Sequence, residues 1–139
     1  MLGSGSPHSI VFNTSVPIGE WVHVVITRDV ASGKAYCYIN GTLMDTQTLN
    51  TVSSTDLPTM VTPLVLGGDL RSGNAQYFKG SIKSVSLYSE CMTAEQVAEN
   101  YRGYKPTDRS SLICYYYLAF TAGDTTITDF SGNGYTINK

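Results

Sequence analysis

The chain has 139 residues, a formal net charge of −2, 42% hydrophobic residues and only 14% charged residues, against about 25% charged in ordinary soluble domains. That length suits one domain able to bury a core without staples, and the near-neutral balance gives no electrostatic case for nucleic acid or an anionic membrane. No run of 18 apolar residues occurs, so no membrane insertion is expected.

Met1 to Ser9 (MLGSGSPHS) has neither a basic start nor an apolar segment, so it does not read as a signal peptide. Ser9 to Ser15 is a candidate first strand, broken by Pro17 and Gly19. Gly19 to Gln47 then reads as three antiparallel strands joined by two short turns. Trp21 to Arg28 is rich in β-branched residues, which suit a pleated surface. Val22, Val24 and Ile26 fall on one face; His23, Val25 and Thr27 fall on the other. Asp29 to Gly33 supplies the first turn. Lys34 to Ile39 alternates, with Ala35, Cys37 and Ile39 opposite Tyr36 and Tyr38. Asn40-Gly41 predicts a type I′ hairpin turn, because both central residues need positive φ. Thr42 to Thr48 is the returning strand.

Asn50 to Pro58 is a polar connection, Thr59 to Leu66 resumes strand character, and Gly67 to Gln76 is a loop. Ser81 to Tyr88 is a strand whose apolar residues Ile82, Val85 and Leu87 break period two once. A bulge between Ile82 and Val85 would restore the phase. A helix follows, from Ala94 to Arg102. Thr93 is its N-cap, Gln96 completes a capping box, and Met92 and Val97 form a hydrophobic staple. Gly103 stops it and Pro106 prevents its resumption. Val97 and Tyr101 form its apolar face. Lys105 to Ser110 is polar. Leu112 to Phe120 (LICYYYLAF) is a strong strand, Asp124 to Asp129 and Tyr135 to Asn138 are shorter ones, and Phe130 to Gly134 is a turn.

The run W-V-H-V-V-I-T-R-D and the hairpin Y-C-Y-I-N-G-T-L resemble the laminin G-like, concanavalin A-like jelly rolls. Pro63 to Gly68, the strand from Phe78 to Tyr88 and the helix start at Thr93 to Val97 are similar to later parts of that family. The resemblance implies an all-β, two-sheet antiparallel jelly-roll sandwich of about nine strands with one short helix. The tail resembles a different part of the same family. A Tyr-rich strand followed by D-F-S-G-N-G is similar to how these jelly rolls begin, yet here it follows the closing helix. The expected organisation is a core over 1–104, a linker over 105–111, and strands over 112–139 that complete this or a neighbouring domain.

Three explanations stand for that tail: a slice across two tandem domains, a circular rearrangement, or strand donation to the next copy. A strand as apolar as LICYYYLAF must pair with something. The linker spans at most roughly 20 Å, against about 4.8 Å between adjacent strands, so folding back is within reach.

No catalytic constellation emerges. The two histidines are His8, in the polar start, and His23, read as a satisfied structural histidine in a strand. There is no G-x-S-x-G, no H-E-x-x-H and no facing carboxylate pair of the kind glycosidases use. The three cysteines, Cys37, Cys91 and Cys114, are an odd number without a C-x-x-C, which argues against a disulfide framework and against zinc. Cys37 reads as a small core hydrophobe.

For binding, Tyr36 and Tyr38 share a strand face and offer rings for stacking on sugars; the competing reading is cross-strand packing. Asp69 and Asn74, in the Gly67 to Gln76 loop, are the other candidate ligand contacts. Asp129 and Asn133 are a candidate calcium pair. The competing reading is turn chemistry, since calcium needs six to eight oxygens. Asn13 and Asn40 head N-glycosylation sequons, with Asn40 also explained by its turn. The family resemblance implies a non-catalytic, extracellular or cell-surface glycan-binding or adhesion module. Its partner is a glycan or an extracellular protein, with homo-assembly or a neighbouring domain engaged through 112–139. The alternative is a self-assembling structural subunit or tandem-repeat domain.

Overall fold

The structure, a computed structural model, describes residues 10–49, 65–69, 76–119 and 123–138. Among them the chain is mostly β, antiparallel throughout, with one short helix. It forms two compact units. The first comprises Met1–Ser54 and Glu90–Asp108; the second comprises Thr55–Ser89 and Arg109–Lys139. No helix among the described residues is long and apolar enough to cross a membrane.

The first unit holds the meander β1 (Val24–Asp29), β2 (Lys34–Ile39) and β3 (Thr42–Thr48), in that spatial order. Asn40 (φ 50) and Gly41 (φ 78) make the expected left-handed turn. Ala35, Cys37 and Ile39 are all buried, as the alternation required. On β1 the two faces are unequally covered. Thr27 is buried and His23 and Val25 are half-buried, while Val24 and Ile26 are exposed. Among the described residues β1 is an edge of its sheet, so its outward side chains lack a neighbour on one side. The candidate first strand at Ser9 to Ser15 forms no strand over 10–15. There the Asn13 N–H donates to Asp45 Oδ2 at 2.6 Å.

The helix α1 (Ala94–Gly103) starts where the capping box placed it. Gln96 N–H donates to Thr93 Oγ1 at 3.3 Å, and the Thr93 N–H donates to Gln96 Oε1 at 2.8 Å. Its end differs by a residue: Gly103 is still helical, and Tyr104 takes the left-handed cap conformation (φ 54). Val97 is fully buried and Met92 nearly so. Tyr101 packs against His23, with ring centroids 5.8 Å apart. Asn100 Oδ1 accepts from both the N–H and the hydroxyl of Thr107, at 2.9 Å each, which ties the linker back to the helix.

The second unit contains β4 (Gly68–Asp69) paired with β5 (Gln76–Tyr77), and β6 (Ser84–Tyr88) paired with β7 (Leu112–Tyr117). It also holds β8 (Thr126–Ile127) paired with β9 (Ile137–Asn138). The Tyr-rich strand therefore pairs with β6 of its own chain. The bulge is not where the pattern placed it. Ile82 precedes β6, and the register shifts between Leu87 and Tyr88, whose partners are Cys114 and Leu112. Ile113 is thus the extra residue, on the partner strand, which the β6 pattern alone does not reveal. Most of the expected strand from Thr59 to Leu66 lies outside the described residues.

Candidate functional site

The bulge at Ile113 creates a backbone problem. An extra residue removes its carbonyl from the ladder, and a polar backbone group needs a partner. The tail supplies it. Asn133 Nδ2 donates to the carbonyls of Leu112 and Ile113, both at 2.9 Å, and Ser131 Oγ lies 3.2 Å from the Ile113 carbonyl. Asn133 in turn donates its N–H to Ser131 Oγ at 3.1 Å.

Asp129 anchors this arrangement. It is 8% exposed, and both of its oxygens are engaged. Oδ1 accepts the N–H groups of Tyr115 and Ser131, each at 2.9 Å. Oδ2 accepts the Ser131 hydroxyl at 2.8 Å and the Tyr135 N–H at 3.0 Å. Burial by itself would raise this carboxyl's pKa; the hydrogen bonds from Tyr115, Ser131 and Tyr135 outweigh it and hold the group at about 2. The Phe130 N–H closes the contact on the Tyr115 carbonyl at 2.7 Å. Asp129, Ser131 and Asn133 therefore form a clasp that fastens the tail along β7. These hydrogen bonds are of the turn kind. Asp129 spends its oxygens on four donors, and the Asn133 amide nitrogen serves the bulge.

Beside the clasp lies a shallow open groove of about 420 Å³. It is lined by Ser89, the run Arg109 to Ile113, Ser131, Asn133 and Tyr135, so its wall is mainly hydroxyl, amide and guanidinium with little apolar surface. Tyr135 is 58% exposed. Its backbone is held at both ends, because its N–H goes to Asp129 and its carbonyl accepts the Tyr116 hydroxyl. The Tyr116 phenol is itself driven to about 12, first by burial and then by its bond with Cys114, so it stays a donor at neutral pH. The result is an aromatic ring on a fixed backbone at the edge of a polar groove.

The other sequence candidates fall elsewhere. Tyr38 is 5% exposed, with its phenol pKa raised first by burial and then by the neighbouring Cys91. It has no free ring face to offer a sugar; Tyr36, on the same sheet face, is half-buried. Asp69 lies in β4, and Asn74 lies outside the described residues. Asn13 is exposed. Asn40 Oδ1 accepts the His23 N–H at 3.0 Å, so that side chain braces the hairpin. His23 is not a satisfied histidine: its Nδ1 is buried without a partner among the described residues, and burial lowers its pKa. It serves by packing on Tyr101. No group of three or more His, Cys, Asp or Glu able to hold a metal occurs among the described residues.

A laminin G-type family model, described as the concanavalin A-like lectin/glucanases superfamily, matches residues 1–98. The chain belongs to this family. No curated protein and no solved structure matches it. The family match ends within α1, so β7, the clasp and most of the groove lie beyond the matched span. Sequence reasoning missed the groove because its wall is assembled from segments around positions 89, 109–113 and 131–135. The signal that was available was D-F-S-G-N-G, read correctly as a turn but without the strand it fastens.

Proposed function

We propose that the chain is a non-catalytic glycan-binding or adhesion module acting outside the cell or at its surface, and that the groove beside the clasp receives the sugar. The observation that carries this is Tyr135: an exposed ring on a pinned backbone, next to hydroxyl and amide groups. A sugar presents an apolar C–H face and a rim of hydroxyls. An aromatic plane answers the first and fixed polar groups answer the second, at low ordering cost because the platform is already held. Membership of a superfamily that includes lectins supports the same reading. The family also includes glucanases, but the described residues that line the groove include no carboxylate, whereas glycoside hydrolysis ordinarily needs two.

The test is a glycan array on the full chain, followed by calorimetry on any hit. Tyr135→Ala should weaken binding about tenfold or more, while Tyr36→Ala should leave it unchanged. A blank array, or binding indifferent to Tyr135, overturns the reading. Release of reducing ends by the purified chain overturns its non-catalytic part.

A structural, self-associating role has one observation in its favour. Val24 and Ile26 are 46% and 62% exposed on the edge strand β1, and an apolar edge invites pairing with another chain. Concentration-dependent sedimentation together with a blank array would select it, whether the contact runs through β1 or through donated strands over 112–139.

A further inference from the structure

Among the described residues that line the groove, Arg109 is the one charged side chain; it is exposed, and none of the others is Asp or Glu. Among the described residues its guanidinium has no carboxylate partner. The clasp carboxylate at Asp129 does not compete for it, because four donors already occupy both oxygens. The remaining polar side chains of the described lining are neutral: the hydroxyls of Ser89, Ser110, Ser111 and Ser131, the Asn133 amide and the Tyr135 phenol. A guanidinium in such a setting is a directed donor. Its planar fork matches a carboxylate through two parallel hydrogen bonds, and charged bonds of this kind are roughly twice as strong as neutral ones.

We infer that the glycan taken by this groove is a carboxylated sugar of the uronate type, its carboxylate paired with Arg109 and its apolar ring face resting on Tyr135. This rests on the glycan reading above and sharpens it. The charge count favours a sugar bearing one carboxylate over a polysulfated chain. A polyanion needs several cations along its track, whereas the described lining of this groove presents one, on a chain with 9 Lys and Arg against 11 Asp and Glu.

Arg109 is suited to a direct test. Among the described residues it bonds through its backbone carbonyl, which accepts the Leu112 N–H at 3.3 Å, so side-chain replacement should spare the fold; circular dichroism checks this. Calorimetry on the full chain would compare an oligogalacturonate, its methyl ester, a neutral oligogalactoside of equal length and a heparin fragment. The acid should bind at least about tenfold more tightly than its ester, and only the acid should weaken with added salt. Arg109→Gln should erase the difference, and Arg109→Lys should retain part of it. Equal binding of acid and ester, an undiminished gap in Arg109→Gln, or a preference for heparin overturns the inference. If the neutral sugar binds as well as the acid and Tyr135→Ala removes that binding, the glycan reading stands and the uronate assignment falls. If none of the sugars binds, both fall.

Discussion

Replacing Asp129 by Asn keeps the size of the side chain and removes its charge. One oxygen then remains to accept, and the new amide presents N–H groups toward donors that previously found an acceptor: the Ser131 hydroxyl and the Tyr135 N–H. The magnitude follows from the depressed pKa. A fall from 3.8 to about 2 is worth about 2.4 kcal/mol at about 1.36 kcal/mol per pKa unit. Solvent at the rim of the turn screens part of that, leaving roughly 1–2 kcal/mol. A group whose folded pKa is lowered stabilises the fold above its unfolded pKa, and that stability is lost as pH falls through the folded value. The native chain should therefore lose this contribution between about pH 5 and pH 2, and Asp129→Asn should lack it throughout. Asp29 and Asp45 are also lowered, the first by Ser32 and the second chiefly by Gln47 and Asn13. The difference between native and variant curves isolates Asp129 from them. The assay is urea denaturation at pH steps from 7 to 2, with amide exchange at Tyr115, Ser131 and Tyr135 as the local readout. Native and variant midpoints should differ at pH 7 and converge near pH 2. A variant as stable as the native chain at pH 7, with the three amides equally protected, would refute the account of the clasp.

Gly41→Ala should cost about 1–2 kcal/mol, since the residue sits at φ +78 and a Cβ there would stand 3.1 Å from the Tyr101 ring. Gly33→Ala, at φ +64 with nothing within 4 Å, should cost only the backbone strain; urea midpoints that rank the two the other way contradict the packing of the hairpin on α1. Of the three thiols, Cys91 is exposed while Cys37 and Cys114 are buried, with their pKa values pushed up first by burial. A thiol reagent at pH 8 should modify Cys91 within minutes and the other two only on unfolding; mass spectrometry showing Cys37 or Cys114 labelled at the Cys91 rate would rule out the described core.

What could be read before folding was local. The Asn40-Gly41 turn, the Thr93–Gln96 capping box and the alternation of Ala35, Cys37 and Ile39 depend on neighbours within a few residues. Their hydrogen bonds and φ preferences are therefore written in short strings. The family resemblance rests on the order of such strings and holds over residues 1–98. Burial was decided elsewhere. Tyr36 and Tyr38 share one sheet face and look equivalent in sequence, yet only Tyr38 is buried. Which ring is covered depends on what packs over it. The helix end moved to Tyr104 although Gly103 was the better left-handed residue by intrinsic preference. The groove depended most on tertiary structure. Asp129, Ser131 and Asn133 announce a turn. Only pairing β7 with β6 creates the Ile113 bulge whose carbonyl Asn133 satisfies, and that long-range closure puts Tyr135 and Arg109 on the wall of one groove.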